Sequence, residues 1–432
     1  MRRNTEYIGK AKGKTKEINK KSFFFVLTII IFFLLNGRNE LYGGTWMGEE
    51  LERLIKEARL KIGPFRIKTI LFLNNAGYDS NVYGTPYDPI KDYTFTTGPA
   101  FYIYLPLKKR ILFSVYESPQ YVYFLETKRE RTWNNYFNGE VYFVFNRFLF
   151  SFGRGFSDAR ERWNTEIDIR PRRKEDSVQG SVLWQTARRT SFSIRYTKAN
   201  YDYENLYYER FNIRDQLNRE ENYVNFTGYY QLFPRTKFFL DFEYGFFNFE
   251  NPLSFRNSKS YAIYGGFEFS PFGAIRGRIN LGYKFFDSLI PERKDYRGIV
   301  GNTSMDLRLL RFFALRALYR RDIQFSLWYD NIYFLENRYG SGASVYLFRN
   351  IRIDYDYSLG RNTYPQIERE LIAHSLWQKR EDDYKIHSVG IYFRIKRELG
   401  IGVTLSKWIR DSNLDWEDDE KLFVGANLTY NF

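Results

Sequence analysis

The chain has no cysteine, two histidines and three methionines among its 432 residues. Without cysteine, neither a disulfide nor a cysteine-linked lipid can hold it. His374 reads as part of a long loop and His387 as the start of a strand, with no G-x-S-x-G and no metal-ligand spacing around them. That leaves no predicted cofactor or metal, and no catalytic constellation beyond what one histidine could support. No run of 18 apolar residues occurs anywhere, so no helix can span a bilayer. Helical periodicity also stops after about residue 62, which leaves a long chain for strands alone.

Aromatic residues are abundant instead: 42 Phe, 37 Tyr and 8 Trp. A soluble core needs more Leu, Ile and Val to pack between so many rings. A membrane barrel uses Tyr and Trp at its two water–lipid boundaries. The last eleven residues fit that setting. Leu422, Val424, Ala426, Leu428, Tyr430 and Phe432 share one face of a strand, and Phe423, Gly425, Asn427, Thr429 and Asn431 share the other.

Residues 1–44 read as a signal peptide or other N-terminal targeting segment, with an uncleaved anchor as the rival. A basic stretch precedes the thirteen-residue apolar run Phe23–Leu35, which Asn36, Gly37 and Arg38 interrupt, and Gly43-Gly44 offer small residues for cleavage. The leader carries +6 of the net +15, leaving about +9 on the remainder. Those charges are interleaved with acids along strands, a pattern of solvated surface and not of nucleic-acid binding. Residues 45–63 suggest a short amphipathic helix on Leu51, Leu54, Ile55 and Ala58, ended by Gly63-Pro64, or a plain linker. Residues 64–432 are the expected barrel.

Short turns are predicted at Leu107–Arg110, Asn146–Arg147, Ala187–Thr190, Phe233–Thr236, Pro271–Ala274, Leu309–Arg311, Arg349–Asn350 and Lys396–Leu399. Polar, longer connections lie between them: Asn75–Lys91, Thr127–Asn134, Ser157–Lys174, Glu204–Glu220, Asn251–Ser258, Ser288–Asp295, Arg361–Asp382 and Asp411–Asp419, with a brief reversal at Tyr329–Asn331. Eight short turns and nine outer connections describe an all-β, single transmembrane antiparallel β-barrel of about 18 strands, with 16 as the neighbouring count. Short turns face the periplasm and long loops the exterior.

Charge then fixes which face is wet. An Arg or Lys at the lipid midplane costs roughly 2–4 kcal/mol. The mid-strand ions are therefore pore-lining candidates: Arg195, Lys237, Asp241, Glu243, Arg276, Arg278, Lys284, Arg316, Arg320, Arg352, Asp354, Asp356 and Arg394. Glu140, Glu268, Asp306 and Asp322 join them, and a barrel of this size leaves room for water. Such ladders either pair across strands and stiffen the wall, or bias the bore mildly towards anions. Tyr102, Tyr104, Tyr142, Tyr223, Tyr229, Tyr264 and Tyr392 are expected inward or at a rim, where rings stack on sugars or serve as interfacial belts. The acidic run Asp411, Asp415, Glu417, Asp418, Asp419 and Glu420 lacks calcium-loop spacing and reads as a solvated loop.

Three stretches carry a family resemblance. Gly77–Val82 followed by Asp92–Pro99, Pro234-Arg235-Thr236 leading into Lys237–Gly245, and Arg410–Asn413 ahead of the final strand resemble the Putative beta-barrel porin 2 family over most of residues 65–432. The resemblance implies an outer-membrane barrel of a Gram-negative bacterium, and for some members a link to exopolysaccharide export. It assigns no functional residues. The expected function is a porin-like channel for hydrophilic solutes, or the outer component of an exopolysaccharide route. A non-conducting structural or assembly barrel with a plugged lumen is the alternative, and an outer-membrane hydrolase a distant third. Expected partners are outer-membrane lipid and lipopolysaccharide, the barrel-insertion machinery reading Leu428, Tyr430 and Phe432, and polysaccharide-export components.

Overall fold

A computed structural model describes residues 55–432 apart from 108–109, 167–168, 209–210, 272, 349 and 368–377. The predicted targeting segment, residues 45–54 and His374 lie outside the described residues. Alternating side chains and turn-forming breaks produce eighteen long strands among the described residues. They begin with β1 (Phe65–Asp79), β2 (Asp92–Leu107), β3 (Ile111–Phe124), β4 (Thr132–Phe145), β5 (Phe148–Arg160) and β6 (Arg172–Gln185). The middle of the chain forms β7 (Thr190–Tyr203), β8 (Arg219–Phe233), β9 (Thr236–Phe249), β10 (Ser258–Phe269), β11 (Ile275–Ser288) and β12 (Tyr296–Leu310). It closes with β13 (Phe313–Phe325), β14 (Tyr333–Leu347), β15 (Ile351–Thr363), β16 (Glu381–Arg394), β17 (Leu399–Ser412) and β18 (Asp419–Asn431).

Each strand pairs antiparallel with the next, and β18 returns to β1 through Leu73↔Leu428 and Tyr78↔Val424. This is a closed 18-strand barrel, so no edge is left open to lipid. All eight predicted short turns join strands at one rim and all nine longer connections lie at the other. Loop limits shift by a few residues. β1 runs past Asn75 to Asp79 because the ladder absorbs a bulge between Leu73 and Ala76, where Asn75 has a φ of 53°. Between residues 45 and 63 the described helix covers only 55–57. Leu60–Ile62 instead forms a strand that turns at Gly63 (φ 56°) and pairs back on Phe65–Ile67. A proline after a left-handed glycine builds a hairpin here, not only a helix stop.

Register rows show the two faces. Phe226, Phe242 and Ile263 pair along one row of the outer face, while Asn225, Glu243, Ala262 and Lys284 pair along the inner one. Leu240, Ile263 and Val403 are 56%, 58% and 55% exposed, which is the normal state of a side chain directed at acyl chains.

One hairpin leaves the wall. The last rung between β12 and β13 is Gly301↔Arg321, yet β13 and β14 stay paired to Phe325↔Tyr333. Their tip therefore bends inward. Arg321 Nε donates to the Ile299 carbonyl at the split, 3.0 Å away, satisfying an acceptor the ladder has abandoned. Phe325 then meets Phe247 and Phe249 edge-on, at 5.2 and 5.0 Å between centroids, and Tyr333 meets Phe286 at 5.4 Å. Residues of outward parity thus pack against the inner face of β9 and β11.

Candidate functional site

The lumen is the candidate site, built from inward residues and closed by its loops. Cross-strand register puts Arg195, Lys237, Asp241, Glu243, Arg278 and Lys284 on the inner face of β7, β9 and β11. Lys284 Nζ lies 2.8 Å from Asp322, and Asn225 Nδ2 donates to both Asp241 and Glu243 at 3.2 Å. These residues line a cavity of about 560 Å³ holding Arg195, Arg278 and Lys284 against Asp241, Glu243 and Asp322. Arg276 pairs in register with Asp306 beside it. On the next wall Arg316 reaches Asp356 at 2.8 Å, Arg320 reaches Glu336 at 3.4 Å, and Arg352 lies 2.9 Å from Asp354. Arg394 stands apart from both groups, in a cavity of about 920 Å³ at the short-turn end of the lumen.

Charge is concentrated on part of the circumference, although Glu140 lies inward on β4 beside Tyr142 and Gln179. The inner faces of β2 to β5 carry mainly Tyr, Ser, Asn, Gln and Gly, with Tyr102 tilted against Tyr116 at 4.9 Å. Tyr104, Tyr142, Tyr223, Tyr229, Tyr264 and Tyr392 also occupy inward register positions.

The long-loop mouth is filled. Ile213, Leu217, Leu327, Trp328, Phe334 and Tyr364 are buried together with Tyr203 and Phe211. Each such aliphatic or aromatic side chain contributes about 1.5–3 kcal/mol by leaving water. Two buried titratable side chains fasten the 326–332 tip into this cluster. Arg256, fully buried, donates to the carbonyls of Ser326 at 3.0 Å, Leu327 at 3.1 Å and Trp328 at 2.8 Å. Glu166, also fully buried, accepts from the Leu327 N–H at 2.8 Å and from the Ser326 hydroxyl. Burial pushes the Glu166 carboxyl above the usual carboxylate value, against the opposing pull of Ser326, Arg380, the Leu327 N–H and Arg256. Burial works against a charged Arg380, but Asp382 and Glu417, each 2.9 Å away, outweigh it and keep it protonated.

Sequence reasoning missed Arg256, Glu166 and Arg380, which sit in loops and match no motif. A signal existed: the short 326–332 connection carries Leu327, Trp328, Tyr329 and Ile332, too apolar for a solvated loop. The acidic run is likewise not solvated throughout. Glu417 and Asp419 are 2% and 3% exposed, Glu417 against Arg380 and Asp419 near Arg162. No metal-binding group of acids occurs among the described residues. His387 lies mid-strand, not at a strand start, and faces outward beside Tyr357 with its Nδ1 3.1 Å from the Tyr355 hydroxyl.

Some ions face outward. Arg154, near the middle of β5, runs along the outer face to Asp176 through hydrogen bonds of 2.9 and 2.8 Å, and Lys198 meets Glu220 at 2.6 Å. On β5 to β8 the apolar outer band is thus confined to the half nearer the short turns. A long side chain reaching towards the headgroups in an ion pair avoids most of the midplane cost.

The short-turn mouth is narrowed too. Ala58 is buried with Tyr104 and Leu112, Arg59 meets Glu398 at 3.1 Å, and Glu57 meets Lys68 at 3.6 Å.

A family model described as Putative beta-barrel porin 2 matches residues 163–432. No curated protein matches the chain. Among solved structures, Pseudomonas aeruginosa OpdQ is similar at 10% identity and a TM-score of 0.48, over 86% of this chain and 99% of that one. Acinetobacter baumannii OccAB3 is similar at 12% identity and 0.46, over 85% and 99%. A bacterial polysaccharide outer membrane secretin is similar at 10% identity and 0.40, over 85% and 98%.

Proposed function

Because the chain belongs to the Putative beta-barrel porin 2 family, a family of Gram-negative outer-membrane barrels, we propose that it is a channel for small hydrophilic solutes whose outer mouth is gated by its own loops. One observation carries this reading: ionised and amide side chains surround two lumenal cavities of about 560 and 920 Å³, while an apolar cluster of loop residues fills the outer mouth. The loop cluster favours small solutes over a polysaccharide chain, for which the 326–332 tip would have to withdraw completely. Phe432, with Leu428 and Tyr430, offers the outward C-terminal strand face to the insertion machinery. Lipopolysaccharide is the expected neighbour of the outward ion pairs Arg154–Asp176 and Lys198–Glu220.

A second reading, a plugged structural barrel, draws on that same dry cluster. Planar-bilayer recordings separate the two. The full-length protein should show discrete open steps, and replacing 326–332 by a two-residue turn should raise the conductance. Silence from both proteins, with heat-modifiable migration proving each folded, would leave only the structural role.

A further inference from the structure

The lumen is not uniform in sign along its length. The mid-lumen cavity holds three cations and three carboxylates. The cavity at the short-turn end holds Arg59, Arg352, Arg394 and Arg397 against Glu398 alone. Two of these guanidiniums are occupied: Arg59 by Glu398 at 3.1 Å, and Arg352 by Asp354 and by the Tyr392 ring, 4.4 Å below it. Arg394 and Arg397 are exposed to the cavity with no side-chain hydrogen bond or ion pair among the described residues. Across β17 from Arg394, Asn427, Thr429 and Asn431 alternate on the inner face of β18 and line the same space, Asn427 held by Thr404 and the Asn75 N–H and Asn431 by the Glu398 carbonyl.

From this we infer that the periplasmic vestibule is a binding site for small hydroxylated carboxylates, held by Arg394 and Arg397 and steadied by the amide and hydroxyl strip of β18. The planar guanidinium fork matches a carboxylate through two parallel hydrogen bonds, which a lysine would not supply. Amides and hydroxyls suit the remaining hydroxyl groups of such a solute. A hydroxylated carboxylate can engage the guanidiniums and the β18 strip together, where inorganic phosphate engages the guanidiniums alone. The excess of positive charge concentrates anions where the bore meets the periplasm, in a low-dielectric wall that focuses the field.

The inference deepens the channel reading, and its test separates the two. Equilibrium binding of radiolabelled glucuronate, glucose and inorganic phosphate is measured on the full-length, detergent-folded barrel, and glucuronate block is recorded in bilayers with each side exposed in turn. Glucuronate should bind, glucose should not, and phosphate should bind more weakly. Block should be stronger from the short-turn side. Arg394→Gln with Arg397→Gln should weaken glucuronate binding about tenfold or more. Arg394→Lys with Arg397→Lys, which keeps the charge and loses the fork, should fall between, and it serves if the glutamine pair does not fold. Unchanged binding in the double variant, equal binding of glucose, or tighter binding of phosphate overturns the assignment. Binding without any conductance would retire the channel and keep the site. Conductance without glucuronate binding would do the reverse.

Discussion

Arg256 is buried where its charge is met by three carbonyl oxygens of one turn, by the Ser254 carbonyl at 2.7 Å and by the Gln216 side-chain oxygen. Removing it strands those acceptors, each worth about 1–3 kcal/mol when left unpaired in a dry site. Arg256→Ala should therefore loosen the 326–332 tip by about 3 kcal/mol or more while the wall stays paired. Amide exchange should accelerate at Leu327 and Trp328 and stay slow in β9, and unchanged exchange at the tip would refute the clamp. Glu166 adds a pH dependence. Its carboxyl titrates above its ordinary value when docked and near that value when the tip is released into water. The docked state thus binds the proton more tightly, so docking is strongest at low pH. It weakens as pH rises from the ordinary carboxylate range through the raised value. Arg256, Arg380 and Ser326 face the same carboxyl and moderate the effect without reversing its sign. Channel opening should increase across that window in wild type and lose most of this dependence in Glu166→Gln, as single-channel open probability would show.

Strands and short turns were legible because their signals are local. A period of two and a Gly, Pro or basic break mark each β-hairpin, and the inward parity of β9 reads directly from Lys237, Asp241 and Glu243 between Phe238, Leu240 and Phe242. The inward bend of the β13–β14 tip was not legible. Ile323, Phe325 and Tyr333 carry the same outward parity as any lipid-facing residue, and only the lost rungs beyond Gly301↔Arg321 show that they cover Phe247 and Phe286 instead. Arg154 escaped notice for a related reason. The cost argument places a lone cation inside, and its partner Asp176 is 22 residues away on the neighbouring strand. The closing strand is testable as an element. Phe432 donates its N–H to Thr69 at 2.9 Å, and its ring is half exposed at the outer face beside Tyr430. A chain ending at Asn431 should keep the β18–β1 ladder, yet give less assembled barrel in cells. Wild-type yields of heat-modifiable protein from that chain would remove Phe432 from the insertion signal.

At the largest scale, the barrel of the described residues is constricted at both ends. Loops and an inward hairpin close one mouth with an apolar cluster, and residues 55–59 narrow the other. Between them charge is concentrated on one part of the wall, and a tyrosine- and serine-rich arc holding Glu140 makes up the part formed by β2 to β5. A channel in this barrel requires inward residues to touch water while their neighbours touch lipid. The absence of native cysteine makes that directly measurable. Single cysteines placed in turn at Lys237, Phe238, Asp241, Phe242 and Glu243, in barrels reconstituted into liposomes, can be challenged with a charged, lipid-insoluble thiol reagent. Labelling at 237, 241 and 243 with protection at 238 and 242 is the predicted result. Uniform labelling along the strand, or labelling of the phenylalanine positions alone, would contradict it.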